Sequence, residues 1–290
     1  MGDASILQAL VNGLTSAGIY ILVALGLTLV LSIMNIVQLA HGEVYMIGAY
    51  VVYYFSTSLG LNFYLAVIIA IMATGVLGIL LERVFLRPFR ARPDSALALT
   101  AGLILVFQNL VLAIATGTPK SYKTPYEGEV LSVGGVTLSV ERVVIVVAAF
   151  VLIAALFLYI RYTKNGQAML AVAQDREGAA LQGISVDRLS AMAMFVGCGL
   201  AGIAGALVGS LFSLLPTMGG NVLMKGIAVI ILGGLGSIPG TVVGGLIIGL
   251  LDGLIPLVTT QYAASLIGFV IVILILLFRP RGLWGHESPF

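Results

Sequence analysis

Charged residues are scarce in this chain of 290 residues. Only 9% of them are Asp, Glu, Lys or Arg, whereas 60% are hydrophobic and the mean hydropathy is +1.15. A soluble domain needs about a quarter of its residues charged, so the composition excludes an ordinary soluble protein. The weakly alternating pattern of membrane β-barrels is also missing. The composition therefore predicts a polytopic helical membrane protein.

Metal ligands and nucleophiles are scarce as well. Cys198 is the single cysteine, which excludes a disulfide framework and is typical of a small buried packing residue. The two histidines stand at opposite ends of the chain, so they indicate neither a metal site nor a nucleophile–base pair. A Walker A sequence is missing too, because Lys225 lacks the preceding glycine pattern and the following Ser or Thr. We therefore expect no metal or cofactor on this chain, and any ATP must be hydrolysed by another chain.

Glycine, by contrast, is abundant, with 36 residues. The stretch 197–202 matches GxGxxG, but it lies inside an apolar run with no preceding strand, so packing through small residues is favoured over dinucleotide binding. Glycines four residues apart between 240 and 253 likewise predict close helix crossings. A glycine-rich break separates two short apolar runs and predicts a broken hairpin, either two short crossings or a re-entrant pair. The residues of this break are Gly233, Gly234, Gly236, Pro239 and Gly240.

Several apolar runs are long enough to cross a membrane as helices. The apolar runs of the chain, including the short ones at 222–234 and 241–257, fall at 6–34, 43–58, 62–82, 95–116, 143–160, 189–215, 222–234, 241–257 and 262–278. No charge run or low-complexity linker divides them, so 1–290 is predicted to be a single transmembrane domain. Ten of the fourteen Lys and Arg residues cluster in 83–92, 161–188 and 279–281. The positive-inside rule places these regions and the C-terminus in the cytoplasm.

The loop at 117–142 carries charges of both signs in near balance and is expected outside, as is the N-terminus by the parity of the spans. Within this loop, Val130–Val133 and Val136–Leu138 flank Gly134-Gly135 and predict a short hairpin.

One stretch introduces polar residues into apolar text. Asn35, Gln38 and His41 are spaced three apart, which predicts that they share one helical face, and Glu43 adjoins them. Gly42 is expected to let the backbone bend or another helix approach. Polar groups at membrane depth usually face a bundle interior or an aqueous path, so these four side chains are a hypothesis for the solute pathway. A satisfied polar network that fixes a helix bend remains the alternative.

Other polar residues also stand in apolar text. Lys225 is expected to snorkel to the interface, and Asp252 could sit at a helix end. Gln108 and Asn109 are candidates for hydrogen bonds between helices.

The segment 161–188 is longer than a connection between two spans needs to be. It is Ala-rich and helix-prone, carries both charge signs, and has Gly183 as the expected C-cap. Met169, Val172 and Ala173, followed by Ala180 and Leu181, form an apolar stripe at helical spacing. Periodicity leaves two explanations open, namely docking on a soluble partner and an interfacial helix resting on lipid or on its own bundle.

Four motifs in the same order resemble the LivH-type permeases of branched-chain amino acid ABC importers. These are 35–50 (beginning Asn-Ile-Val-Gln-Leu-Ala-His-Gly-Glu), Glu82-Arg83-Val84 with Arg87-Pro88, 161–188, and 232–240. The chain departs from the family at Gln38-Leu39, where Asn-Phe is commoner, and at Gly178, where Ala would complete the EAA-like pattern.

The resemblance implies an all-α bundle of about eight transmembrane helices with broken or re-entrant segments. It also implies a second homologous permease subunit in a heterodimer, two ATPase subunits that use ATP, and an external solute-binding protein. The segment 161–188 would be the part that couples to the ATPase. Its coupling residues would be Ala171, Val172, Asp175, Glu177, Ala179, Ala180 and Gly183.

The sequence therefore predicts a multi-pass permease subunit of the bacterial inner membrane, not an enzyme, that imports branched-chain or related amino acids and binds no nucleic acid. A proton-driven carrier that uses Glu43 and His41 is the first alternative, and an importer subunit for amides or small carboxylates is another. A membrane enzyme with His41 as base and a passive channel also remain open.

Overall fold

Helices make up most of the computed structural model, which describes residues 3–90, 92–133, 136–279 and 282–285. The helices, in chain order, are α1 (Asp3–Met34), α2 (His41–Tyr53), α3 (Phe63–Leu80), α4 (Pro93–Ala115), α5 (Val140–Tyr162), α6 (Lys164–Gln174), α7 (Arg176–Leu181), α8 (Val186–Val208), α9 (Met218–Gly233), α10 (Ile238–Leu254) and α11 (Gln261–Phe278). A hairpin of β1 (Val130–Val133) and β2 (Val136–Ser139) precedes α5.

The lengths of these helices confirm the all-α membrane fold. Among the described residues, six helices are long and apolar enough to cross a membrane, and Met218–Gly233 and Ala263–Phe278 are shorter apolar helices. Together they fit the expected bundle of about eight spans, whereas the 13 residues of α2 rise about 20 Å, about two thirds of a span. The most apolar stretch of α1 is 83% buried and that of α4 only 22%. The chain is thus a multi-pass membrane protein with α1 inside the bundle and α4 on its surface.

Glycine contacts hold α1 and α8 together at the centre. A Cβ built on Gly197 would lie 2.7 Å from the carbonyl oxygen of Gly26, so the two backbones touch there. The backbone of Ala17 crosses Gly249 of α10 in the same way. The GxGxxG stretch lies wholly within α8, and Cys198 is fully buried. These contacts confirm the packing explanation for the glycine spacing and for the single cysteine.

The predicted helix break between α9 and α10 is present. Gly234 and Gly236 have φ of +105° and +80°, a region that glycine adopts without the steric cost of a Cβ. The hydroxyl of Ser237 then accepts a hydrogen bond from the N–H of Gly240 at 3.2 Å and caps α10, with Pro239 in the first turn. The 233–240 stretch therefore reverses the chain between two antiparallel helices.

The three basic regions meet at one end of the bundle. Arg87 and Arg90 both bind Asp187, which joins the end of the helical stretch Phe63–Phe89 to the start of α8. Leu283 donates a backbone hydrogen bond to Leu232 at 2.9 Å, which brings the C-terminal segment to the end of α9. Met169 of α6 and Gly236 line one cavity, so the 161–188 segment lies at the same end.

The opposite end carries the hairpin. Its strands are antiparallel, with Val130 paired to Ser139, which confirms the predicted strands. Lys120 forms an isolated bridge with Leu214, and Arg142 binds Asn12 near the start of α1. The Gly134-Gly135 turn and His286 lie outside the described residues.

The expectation of one helix across the Ala-rich part of 161–188 is corrected, because two helices meet at Asp175. Asp175 is extended (φ −149°, ψ 103°), and its carboxylate accepts from the N–H of Gly178 at 2.9 Å, so it starts α7 instead of continuing α6. A Cβ on Gly178 would lie 2.9 Å from Cγ of Asp175, which explains why glycine suits this position. The expected C-cap is confirmed: Gly183 has φ +81° and donates to Ala180, while Ile184 donates to Ala179.

Candidate solute pathway and coupling surface

The predicted single helical face at Asn35, Gln38 and His41 is wrong. Residues 35–40 are not helical, because α1 ends at Met34 and α2 begins at His41. Asn35 donates its N–H to Leu31 at 2.8 Å and has φ +53°, a left-handed conformation that asparagine tolerates better than most residues. Its side chain is exposed. Asn35 therefore ends α1 and lies apart from the other three polar side chains.

Gln38, His41 and Glu43 are all buried inside the bundle, with exposures of 0%, 0% and 1%. Oε1 of Gln38 lies 3.3 Å from Nδ1 of His41, and Gln108 of α4 donates to Oε1 of Glu43 at 2.8 Å. Three of their polar atoms find no hydrogen-bond partner among the described residues, namely Nε2 of Gln38, Nε2 of His41 and Oε2 of Glu43. Unpaired polar atoms at such depth are costly, so this cluster is only half satisfied.

Glycine backbone forms the walls around these side chains. A Cβ on Gly26 would lie 2.7 Å from Nε2 of His41, and one on Gly219 would lie 2.9 Å from Oε2 of Glu43. Gly42 faces Gly219, so the expected close helix approach at Gly42 is confirmed, and the first turns of α2 and α9 meet there. Both turns present the positive end of a helix dipole, which favours the Glu43 carboxylate at this point.

A second polar cluster, which sequence reasoning did not assemble, joins α1, α9 and α10. Nζ of Lys225 lies 2.8 Å from Oδ1 of Asp252, and the hydroxyl of Tyr20 donates to Oδ2 of Asp252 at 2.8 Å. Lys225 also lies over the ring of Phe269 in α11, 5.4 Å from its centroid. The expected snorkelling of Lys225 is therefore wrong, whereas Asp252 does lie near the end of α10.

The sequence did hold a signal for this pair, since opposite charges stand on the two arms of one broken hairpin. Because each carboxylate oxygen of Asp252 has a donor, this cluster is satisfied and braces the four helices.

The two candidates for hydrogen bonds between helices behave differently. Gln108 bonds Glu43 of α2, as expected. Asn109 is exposed and donates to Leu105 of its own helix at 2.8 Å, so the expectation for Asn109 is corrected. Its amide is satisfied locally by the i−4 carbonyl, which a helix always offers.

The 161–188 segment buries part of its apolar stripe against its own bundle. Met169 and Val172 are 2% and 3% exposed, and Met169 lines a cavity with Ile33 of α1 and Ile238 of α10. Ala179 is also buried, so Val172 and Ala179 both pack within this chain, and their expected coupling role stays a prediction. The expected coupling residues that remain exposed are Asp175, Glu177, Ala180 and Gly183, with Ala171 half-buried.

Two large apolar side chains stand beside those exposed residues. Leu181 is 87% exposed and Leu170 is 41% exposed. The exposed surface of α7 therefore combines the apolar side chain of Leu181 with the charged side chain of Glu177.

A charged network connects this segment to α3. Arg90 binds Glu82 and Asp187, and Arg87 binds Asp187. Glu82 is 1% exposed, so the network reaches from the surface into the bundle. It links the Glu82–Pro88 motif to Asp187, which lies near the end of the 161–188 segment. In the part of the chain that the structure describes, no group of three or more His, Cys, Asp or Glu could hold a metal ion.

Known proteins match the chain along nearly all of its length. A family model described as "Branched-chain amino acid transport system / permease component" matches residues 9–277. The high-affinity branched-chain amino acid transport system permease protein BraD of Pseudomonas aeruginosa is 33% identical over 296 residues, which cover 97% of this chain and 96% of BraD. The corresponding protein LivH of Escherichia coli K12 is 32% identical over 297 residues, with 97% and 96% covered.

An archaeal protein extends the same similarity. A probable branched-chain amino acid transport permease protein LivH of Methanocaldococcus jannaschii is 27% identical over 309 residues, with 99% of this chain and 94% of that protein covered. No solved structure matches the chain significantly.

Proposed function

Because this chain belongs to the family of branched-chain amino acid transport system permease components, we propose that it is the membrane-spanning subunit of an ATP-driven importer for branched-chain or related amino acids. As a permease component it is one part of a transport system with several components, and it is not an enzyme. The observation that carries the proposal is the family match over residues 9–277, which includes both the broken helices and the α6–α7 segment.

The proposed complex holds this permease, a second homologous permease in a heterodimer, two ATPase subunits and an external solute-binding protein. Residues 1–290 act as one permease domain, and 161–188 is its coupling segment. The exposed Glu177, Ala180 and Leu181 of α7 support this role, because they present a mixed apolar and charged surface at the end of the bundle. ATP is bound and hydrolysed by the ATPase subunits.

The proposed location is the bacterial inner membrane, with the basic loops and the C-terminus in the cytoplasm. The clustering of the three basic regions at one end of the bundle supports that orientation. The hairpin and the start of α1 would then face outside, where the binding protein delivers the solute.

The proposed solute route passes Gln38, His41 and Glu43, where α2 and α9 begin inside the bundle. Transporters commonly bind solutes where broken helices leave their first turns at mid-membrane. The three unpartnered atoms of these residues support the route, since a passing solute with hydrogen-bonding groups would satisfy them. Asn35 stands outside this route because it is exposed at the end of α1.

A single preparation tests the function. The tagged chain is purified from its native host, its partner subunits are identified, and the complex is reconstituted into proteoliposomes with the external binding protein. We expect uptake of radiolabelled leucine or valine that requires ATP and survives an uncoupler. Uptake that the uncoupler abolishes would support a proton-coupled carrier instead. Complete energised uptake by this polypeptide alone would refute the proposal.

A further inference from the structure

The two polar clusters of the bundle differ in how well their atoms are paired. Both oxygens of Asp252 accept hydrogen bonds, from Lys225 and Tyr20. Glu43 accepts only one, from Gln108, and its Oε2 has no partner among the described residues. A buried carboxylate normally has several donors or an opposite charge. Among the described residues, Glu43 is therefore a buried carboxyl group with one oxygen that lacks a donor.

Glu43 lies where the first turns of two helices meet. It lies in the first turn of α2, and its Oε2 faces Gly219 in the first turn of α9, where a side chain larger than glycine would collide with it. Glycine at both Gly42 and Gly219 lets the two turns approach. The positive ends of the two helix dipoles therefore both lie beside the Glu43 carboxyl group.

Glu43 lies one side chain away from the surface of the subunit. Its partner Gln108 is half-buried and belongs to α4, which exposes most of its length. One residue beyond Gly219, a Cβ on Gly220 would have no described atom within 4 Å, so the first turn of α9 borders open space. Gln108 covers Oε1 of Glu43, so a shift of Gln108 would open this carboxylate towards the exposed side of α4.

We propose that the carboxylate of Glu43 binds the α-ammonium group of the transported amino acid, beside Gln108. This inference rests on the proposed function and makes it more specific. An ammonium group supplies three donors and the opposite charge, which is what Oε2 lacks. An amide or a carboxylate without an amino group offers no such charge. The site therefore selects solutes that carry a primary ammonium group.

The test compares leucine with 4-methylpentanoate, which is leucine without its amino group. Binding of radiolabelled L-leucine is measured on the purified permease–ATPase complex without the external binding protein, and each unlabelled compound is used to displace it. In the wild-type complex we expect leucine to displace the label at a concentration lower by about tenfold or more, as a charge-assisted hydrogen bond provides. Glu43→Gln should bring the two compounds to within about twofold of each other.

Two further variants separate binding from packing. Glu129→Gln makes the same chemical change at an exposed loop position and should leave the preference for leucine unchanged. Gln108→Leu removes the neighbouring donor but keeps the carboxylate, so the complex should still prefer leucine. The assignment is overturned if Glu43→Gln keeps the preference, if Gln108→Leu abolishes it, or if the wild-type complex shows no displaceable leucine or no preference.

ATP-driven uptake by the wild-type complex with its binding protein is measured in parallel. If uptake is normal but the permease shows no preference for leucine, the role of Glu43 is refuted and the proposed function is not. Loss of energised uptake from the complete wild-type complex would refute the proposed function itself.

Discussion

Breaking the ion pair between Lys225 and Asp252 should destabilise the bundle far more when one partner is removed than when both are. The two charges lie 2.8 Å apart, and their side chains are 12% and 4% exposed. At an effective dielectric constant of about 20, charges at that distance attract each other by about 6 kcal/mol before desolvation is subtracted. Lys225→Met leaves Asp252 with Tyr20 as its donor, and Asp252→Asn leaves Lys225 over Phe269 without a counter-charge.

Removing one member of a buried pair typically costs about 3–5 kcal/mol, because the other charge stays buried and uncompensated, whereas replacing both is often close to neutral. We therefore expect each single variant to lower the free energy of unfolding by about that amount, and Lys225→Met/Asp252→Asn to lower it by about 1 kcal/mol. The coupling energy of the double-mutant cycle should accordingly be about 5 kcal/mol or more in magnitude.

The assay is reversible unfolding of the purified chain in mixed micelles as the fraction of denaturing detergent rises. The matched control is the exposed pair Lys123–Glu127, whose charges lie 3.4 Å apart with 85% and 53% of the side chains exposed. Lys123→Met and Glu127→Gln should couple by less than about 1 kcal/mol. The bracing role of Lys225 and Asp252 is refuted if their coupling energy is no larger than that of this exposed pair.

Three further changes test the packing and the coupling surface. Leu181→Glu should abolish ATP-driven uptake while the free energy of unfolding stays within about 0.5 kcal/mol of the wild-type value, because Leu181 is 87% exposed. Val172→Glu should instead lower the yield of folded protein, because Val172 is 3% exposed. Equal uptake and equal yield of the two variants would contradict the assignment of these surfaces. Gly26→Ala should destabilise the bundle by about 1–3 kcal/mol, since the added methyl group meets Gly197 and His41. Gly102→Ala places its methyl group in open space and should not destabilise the bundle. Equal free energies of unfolding for the two variants would count against the close crossing of α1 and α8. Gly183→Ala should cost about 1–2 kcal/mol in the same measurement, because φ is +81° there, and an unchanged value would argue against the left-handed cap.

The features that sequence could predict are those that depend on local pattern. The length of the apolar runs predicted the spans, and the glycines at 233–240 predicted the break between α9 and α10. The closely spaced glycines in 197–202 and in 240–253 indicated helix crossings. Each of these signals is contained in the composition or the glycine spacing of its own segment. The Val130–Val133 hairpin was predictable for the same reason, since alternating residues flank a turn sequence.

What sequence could not predict depends on tertiary partners or on competing local signals. The three-residue spacing from Asn35 to His41 fits a helix, but so short a stretch is a weak signal. The helix ends instead at Met34, because Asn35 adopts the left-handed conformation. Asp175 was an N-cap signal inside an Ala-rich stretch, and its side chain competed successfully with helix continuation. The pairing of Lys225 with Asp252 required knowledge of which helix faces meet, which hydropathy does not encode.

If 161–188 couples to an ATPase as proposed, α9 is placed to carry its displacement to the proposed solute site. The helix extends about 21 Å from Gly219 beside Glu43 to Gly233 at the basic end of the bundle. At that basic end the turn that follows α9 lines one cavity with Met169 of α6. The Lys225–Asp252 pair ties α9 to α10, so the two helices would move as one body. The contact of α9 with α2, by contrast, is made by glycine backbone at Gly42 and carries no charge pair. Motion transmitted along α9 would therefore change the α2–α9 contact first, which is where the unpaired oxygen of Glu43 lies.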